Sequence, residues 1–197
     1  MSLTLSTRPT IVDRFIPKSL AADIALVVAG TALTAVAAQV SIPMLPVPIT
    51  GQTFAVLLTG AVLGLSRGAL SMALYVILGA AGLPIFTAGK SGFVFGPTLG
   101  YLVGFIAAAA VVGYFSTRQW DRKWFAVAVG LTLGNAVIYA FGLPVLSAFL
   151  GSVGAQNDLQ ATLELGLYPF FLGDAIKIAL VSTLLPSAWT LAKKLKG

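Results

Sequence analysis

Six apolar segments separated by short connectors make up most of this chain. A helix needs about 20 predominantly apolar residues to cross the hydrocarbon core of a bilayer. The second and third segments are shorter than that, which a locally thinner bilayer accommodates. The pattern predicts an all-α integral membrane protein with six transmembrane helices, near residues 20–39, 51–66, 69–84, 98–116, 124–147 and 169–191.

The composition supports a membrane protein and argues against an ordinary soluble domain. Hydrophobic residues make up 58% of the chain and charged residues only 9%, with a mean hydropathy of +0.97. The formal net charge of +6 would suit nucleic acid, but the basic residues lie in the connectors between apolar segments. We therefore expect membrane lipid, and no nucleic acid, as a partner.

The chain contains no cysteine and no histidine. Disulfides and thiolate chemistry are therefore excluded, and so are the commonest general base and the commonest transition-metal ligand. An intramembrane hydrolase would need a nucleophile with a base or a pair of carboxylates, whereas only one acidic residue, Asp174, lies deep in an apolar segment. We expect no enzymatic activity, no cofactor and no metal.

The first apolar segment raises the question of how the chain is divided. Basic residues precede it, and Ala35-Val36-Ala37 resembles the cleavage site of a signal peptide. The five further apolar segments favour an uncleaved first helix instead. We expect a cytoplasmic N-terminal segment at residues 1–19 and a single six-helix membrane domain at residues 20–197.

The distribution of Lys and Arg predicts the orientation. With the N-terminus in the cytoplasm, ten basic residues fall on the cytoplasmic side and only Lys90 falls outside. Both termini are then cytoplasmic, and Trp120 and Trp124 lie at the inner membrane interface. The ten residues are Arg8, Arg14, Lys18, Arg67, Arg118, Arg122, Lys123, Lys193, Lys194 and Lys196.

Two opposite charges, Asp174 and Lys177, lie inside the last apolar segment. A lone Asp or Lys at the centre of a membrane helix costs roughly 2.5–3.5 kcal/mol, so such residues usually mark a functional site. Their spacing places both on one helical face. Asn135 and Tyr139 fall at similar depth in the fifth helix, and we expect all four to converge on one outward-opening cavity. The alternative is a salt bridge that only pins the sixth helix to the fifth.

The loop between the first two helices is apolar and contains three prolines, Pro43, Pro46 and Pro48. Proline disfavours regular helix and keeps the segment extended. We expect this outer loop to fold back as a lid, with hydrogen-bonding groups for a polar ligand at its ends. The alternative is a tight helical hairpin. The polar residues at the ends are Gln39, Thr50, Gln52 and Thr53.

The second outer loop, residues 82–97, carries Lys90 next to Ser91. Lys90 either meets an anionic group of a ligand or is solvated. The string Gly89-Lys90-Ser91 imitates the end of a phosphate-binding P-loop, but the glycine that this motif requires is replaced by Pro84. The sequence therefore predicts no nucleotide hydrolysis.

Small residues recur every four positions along the first helix, at Ala21, Ala25 and Ala29. Such a stripe lets another helix approach closely. Spacing alone leaves open whether that helix belongs to this chain or to another subunit.

Five strings in this chain resemble the BioY family, the biotin-specific substrate-capture subunits of energy-coupling-factor vitamin transporters. The resemblance extends from about residue 20 to the end of the chain. The strings are Pro-Val-Pro-Ile-Thr-Gly-Gln-Thr-Phe (46–54), Leu-Gly-Ala-Ala-Gly-Leu-Pro-Ile-Phe (78–86), Gly-Pro-Thr-Leu-Gly-Tyr-Leu-Val-Gly-Phe (96–105), Gly-Asn-Ala-Val-Ile-Tyr (134–139) and Gly-Asp-Ala-Ile-Lys (173–177).

The resemblance implies a six-helix protein of the prokaryotic plasma membrane that binds biotin in an outward-facing pocket. It implies that Asp174, Lys177 and Asn135 meet biotin, that the proline-rich loop caps the site, and that the loop after the third helix holds the valerate tail. The small-residue stripe becomes a docking face for a transmembrane coupling subunit, which acts with two ATPase subunits.

Two positions depart from the family pattern: Lys90 replaces one of a run of small residues, and Leu99 stands where glycine is usual. We place carboxylate recognition near Lys90 and Ser91. Two rival functions remain open, namely capture of another small vitamin and a self-contained carrier in which Asp174 takes up and releases a proton.

Overall fold

The structure, a computed structural model, describes residues 9–92 and 95–196. It is mostly helical, with a two-strand hairpin in the proline-rich loop that the sequence did not predict: β1 (Ser41–Ile42) pairs antiparallel with β2 (Ile49–Thr50). The α-helices among these residues are α1 (Leu20–Gln39), α2 (Gln52–Leu63), α3 (Leu65–Ala80), α4 (Leu99–Thr117), α5 (Trp124–Ser152), α6 (Leu159–Gly166) and α7 (Phe171–Lys196).

In the described part of the chain, four helical segments are long and apolar enough to cross a membrane: α1, α4, α5 and the segment that contains α7. The apolar helices α2 and α3 have 12 and 16 residues. At 1.5 Å per residue they are about 18 and 24 Å long, less than the hydrocarbon core of a bilayer. The prediction of six spans therefore stays a prediction for this pair.

Local chemistry sets the helix ends. The Ser19 hydroxyl accepts a hydrogen bond from the Ala22 amide and caps α1. The Asp158 carboxylate accepts from the Ala161 amide and caps the short α6. This helix lies in the last loop and was not predicted from the sequence. Gly64 separates α2 from α3 with a φ of 83°, and an added Cβ there would lie 2.8 Å from Thr10. This break was also missed: α2 ends at residue 63 rather than near 66, and α3 begins at residue 65 rather than near 69.

The helices pack around α4, which contacts α2, α3 and α5. α1 lies against α2 and α3, while α7 lies against α5 and α2. We call one end of the bundle the terminal end and the other the loop end. The terminal end comprises residues 9–19, Gly64, residues 118–123 and the last turns of α7; the loop end comprises residues 40–51, 81–92, 95–98 and 153–170.

A buried ion cluster lies at the terminal end. Arg67 is 1% exposed and donates to Asp23 through Nε at 2.7 Å and to Asp13 through Nη1 at 2.8 Å. Burial raises the pKa of Asp13, but hydrogen bonds from Arg67 and Thr10 outweigh it, and the net shift is downward. The prediction that Arg67 lies in a connector was wrong, because α3 begins at Leu65. Arg8, another of the ten basic residues, lies outside the described residues.

A second cluster at the terminal end joins α7 to the connector before α5. The Trp189 indole N–H donates to the Asp121 carboxylate, and both residues are buried. The guanidinium carbons of Arg122 and Arg14 lie 4.6 and 5.7 Å from the Trp189 ring centroid. Burial raises the pKa of Asp121 to about 6. Thr10 and Ile11 are buried as well, so the start of the described chain packs against the bundle.

Candidate functional site

A cavity of about 470 Å³ lies at the loop end of the bundle, within the size range of small-molecule sites. Of the predicted site residues, Thr50, Gln52, Lys90, Ser91, Tyr139 and Lys177 line it. Much of the remaining wall is apolar, with prolines of the first loop and aromatic side chains from several elements. These include Pro46, Val47, Pro48, Phe86, Phe105, Ile138 and Phe170.

Lys177 is the cation of this cavity that is held most firmly. Its Nζ donates to the Thr53 hydroxyl at 2.7 Å, to the Thr50 carbonyl at 3.0 Å and to Asp174 Oδ1 at 3.5 Å. An ammonium has three N–H donors, so each of them has a partner. The contact with Asp174 is the longest of the three.

Asp174 is 5% exposed and is reached from two sides. The Tyr139 hydroxyl donates to its Oδ2, while Lys177 approaches its Oδ1. The Tyr139 ring packs edge-on against Tyr101, with the ring centroids 6.3 Å apart. Tyr139 therefore holds the carboxylate on the far side of the ring from this cavity, and Asp174 does not line it.

A second space of about 650 Å³ opens between α5 and α7 on the other side of Tyr139. Asp174 and Asn135 line it together with apolar side chains. Asn135 is 6% exposed, and its Oδ1 has no hydrogen-bond partner among the described residues. The prediction of one shared cavity is thus only partly met. Tyr139 and Lys177 line the first cavity, whereas Asn135 lies beside the second one because the Tyr139 ring fills the space between them.

A hydrogen-bond network around Gln52 joins both outer loops to the bundle. Gln52 is 5% exposed; its Nε2 donates to the Tyr75 hydroxyl at 2.7 Å, and its Oε1 accepts from Thr50 and Thr87 at 2.9 and 3.0 Å. Tyr75 donates in turn to the Ile85 carbonyl at 3.0 Å. Sequence reasoning singled out Gln52 and Thr50 but missed Tyr75 and Thr87, whose partners are distant in the chain.

The second loop is also held from α1. Gln39 donates to the Phe86 carbonyl at 3.2 Å and accepts from the Gly89 amide at 3.2 Å. Lys90 and Ser91 line the cavity but are exposed, so the charge of Lys90 is available to an anionic group. Residues 93 and 94 of this loop lie outside the described residues.

The small-residue stripe of α1 faces away from the bundle. Ala21, Ala25 and Ala29 are all exposed, while the buried face of α1 carries Asp23, Gly30, Thr31, Thr34 and Ala38. The stripe therefore lies on the outer surface of the bundle. Within the described residues 9–92 and 95–196, there is no group of three or more acidic side chains that could hold a metal ion.

Comparison with known proteins assigns the family. A model described as the BioY family matches residues 7–194. The chain belongs to the BioY family. The match begins earlier than the resemblance seen in the sequence, which started near residue 20, and so it includes the Asp13 that pairs with Arg67.

Similar proteins cover most of the chain. The biotin transporter BioY of Thermotoga maritima is 40% identical over 154 residues, which span 77% of this chain and 86% of that protein. A probable biotin transporter BioY of Pyrococcus horikoshii is 35% identical over 179 residues, with 90% and 98% of the two chains covered. These members of the BioY family are named as transporters, not as enzymes.

A solved structure has the same fold. The S-component for biotin from an ECF-type ABC transporter superposes with a TM-score of 0.71 at 23% identity, covering 86% of this chain and 92% of that chain. At this identity the likeness supports the helical architecture alone. The cavities described above are features of this chain's own side chains.

Proposed function

We propose that this protein captures biotin at the membrane and serves as the substrate-binding subunit of a vitamin uptake system. The observation that carries this proposal is the cavity at the loop end, in which the partly buried ammonium of Lys177 is fixed within an otherwise largely apolar wall. The names of the similar proteins, biotin transporters, support the same ligand.

The chemistry of biotin suits these walls. Its ureido ring has one carbonyl and two N–H groups, its chain is apolar, and its tail is a carboxylate. Lys177 donates a charge-assisted hydrogen bond to the ureido carbonyl. Apolar residues such as Phe86 and Phe105 cover the ring and the chain, and Lys90 with Ser91 receives the carboxylate. Asp174 keeps Lys177 in place and reaches the ligand itself only when Tyr139 moves.

We propose that both termini are cytoplasmic, that α1, α2, α3, α4, α5 and α7 form six spans, and that the membrane is the plasma membrane of a prokaryote. The basic residues support this orientation, because Arg14, Arg118 and Lys193 all lie at the terminal end, whereas Lys90 lies at the loop end. The cavity then faces the outside, where the vitamin is encountered.

We propose further that the exposed alanine stripe of α1 docks a transmembrane coupling subunit that acts with two ATPase subunits. Close helix approach needs small side chains, which Ala21, Ala25 and Ala29 provide. Replacing Ala25 by Leu should reduce co-purification with the coupling subunit and leave biotin binding unchanged. The same change at Ala179, which is exposed on α7 and lines neither cavity, is the matched control.

Calorimetric titration of the purified, extensively washed protein with biotin tests the ligand. Saturable binding of one biotin per chain is expected, with no response to other vitamins at the same concentration. Folded, ligand-free protein that ignores biotin but binds another vitamin would refute the ligand and keep the capture role. Uptake into liposomes by this chain alone under a pH gradient would support the proton-coupled carrier instead.

A further inference from the structure

The hydrogen bonds around Gln52 hold the loops, and they also determine which groups at the cavity wall donate and which accept. A carbonyl oxygen only accepts hydrogen bonds, so the Tyr75 hydroxyl, which contacts the Ile85 carbonyl at 3.0 Å, has its hydrogen committed there. The Tyr75 oxygen must then accept from Gln52, which it does at 2.7 Å. This fixes the side-chain amide of Gln52 with Nε2 toward Tyr75 and Oε1 toward the cavity side.

The fixed amide in turn sets the polarity of Thr87. Gln52 Oε1 can only accept, so the Thr87 hydroxyl, 3.0 Å away, must donate its one hydrogen to it. The Thr87 hydroxyl then has no hydrogen left to donate, and only the lone pairs of its oxygen remain available. Thr87 lines the cavity, so it can present only an acceptor there.

This acceptor and Lys177 line the same cavity and are linked through shared partners. Thr50 receives Lys177 at its carbonyl, and its hydroxyl binds the same Gln52 oxygen that Thr87 does. A ureido group presents its N–H groups beside its carbonyl, and Asp174, the anionic acceptor, is turned away behind Tyr139. A ligand whose carbonyl meets Lys177 therefore needs a neutral acceptor alongside.

We propose that Thr87 is a specificity-determining residue that accepts a ureido N–H of the ligand, and that Tyr75 is a positioning residue that keeps Thr87 an acceptor by locking the Gln52 amide. This inference rests on biotin as the ligand. Tyr75 is fully buried and does not line the cavity, so it acts on the ligand only through Gln52. Without its hydroxyl the amide is free to turn, and Nε2 can then donate to Thr87 and release the Thr87 hydrogen toward the ligand.

The test compares ligands rather than affinities alone. Biotin, desthiobiotin, which keeps both ureido N–H groups, and the two regioisomers of biotin methylated at one ureido nitrogen are titrated into wild type, Thr87→Val, Thr87→Ser and Tyr75→Phe. Thr183→Val is the matched control for the hydroxyl, because Thr183 bonds only carbonyls of its own helix within the described chain. Tyr114→Phe is the control for the phenol, since Tyr114 is 41% exposed near the terminal end.

Thr87→Val should weaken biotin and desthiobiotin by about tenfold, the usual effect of one hydrogen bond, and Thr87→Ser should restore most of that. Thr87→Val should change the affinity less than twofold for the methylated regioisomer that lacks the N–H facing Thr87. Tyr75→Phe should lower the preference for biotin over that same regioisomer.

Equal losses for all four ligands in Thr87→Val would overturn the inference, because they indicate a structural role only. Failure of Thr87→Ser to restore binding would also overturn it. Failure of the wild type to bind biotin at all would instead refute the proposed ligand, and it appears before any variant is measured. Thermal unfolding followed by tryptophan fluorescence shows that each variant is folded.

Discussion

Replacing Lys177 by Met removes the ammonium and keeps most of the length of the side chain. In the structure this eliminates the donors to Thr53, Thr50 and Asp174 at 2.7, 3.0 and 3.5 Å. A hydrogen bond to a charged group contributes about 1.5–3 kcal/mol. Loss of the bond from Lys177 to the ureido carbonyl should therefore raise the Kd for biotin about 10- to 150-fold.

The same change should also destabilise the protein. Asp174, 5% exposed, would keep Tyr139 as its only side-chain partner among the described residues, and removing one member of a buried ion pair costs about 3–5 kcal/mol. The double variant Lys177→Met with Asp174→Asn has no unpaired charge. It should therefore recover most of the stability that Lys177→Met loses. It should recover none of the biotin affinity that Lys177→Met loses.

The assay combines calorimetric titration with thermal unfolding in one detergent, which gives affinity and stability for all members of the double-mutant cycle. Lys193→Met is the control, because Lys193 is exposed on the same helix. If Lys177→Met binds biotin within twofold of the wild type, the role of Lys177 in the cavity is refuted. A double variant no more stable than Lys177→Met would refute the ion-pair argument.

Three further predictions concern the bundle. Arg67→Met should lower the free energy of unfolding, measured by denaturant titration, by about 3–5 kcal/mol, because it leaves two buried aspartates without their guanidinium. In the same titration Arg118→Met, at an exposed position, should change the free energy of unfolding by less than about 0.5 kcal/mol. Burial raises the pKa of Asp121 to about 6 from 3.8, so the wild type should lose stability relative to Asp121→Asn as pH rises between about 4 and 6; melting temperatures that change in parallel from pH 4.5 to 7.5 would contradict this. Gly60→Ala should cost about 1–3 kcal/mol because its Cβ would lie 2.6 Å from the Ala109 carbonyl, while Gly173→Ala, with no described atom within 4 Å, should be neutral or stabilising in the same unfolding assay.

The features that were predictable from the sequence are those that depend on neighbouring residues. The apolar segments are matched by helices because apolar length is a local property, and the spacing of Asp174 and Lys177 is enough to bring them together on one turn. The resemblance of five short strings to the BioY family was confirmed by the family match over residues 7–194.

The features that were missed depend on partners far apart in the chain. Arg67 reaches Asp13 and Asp23, which precede it by 54 and 44 residues. Asp23 and Arg67 are each the single charge of an apolar segment, and this was a signal because such charges are rare unless paired. The separation of Asn135 from Lys177 had no such signal, since it depends on where the Tyr139 ring packs.

The two ends of the bundle are held together by different kinds of bond. Arg67 joins residues 9–19 to α1 and α3, and Trp189 joins α7 to the connector before α5, all in buried surroundings. At the loop end, Gln39 holds the second loop through two exposed bonds of 3.2 Å. The second loop is also held by the Thr87–Gln52 and Tyr75–Ile85 hydrogen bonds, which are neutral like those of Gln39, so we expect ligand binding to move this loop more easily than it separates the ion-paired base of the bundle.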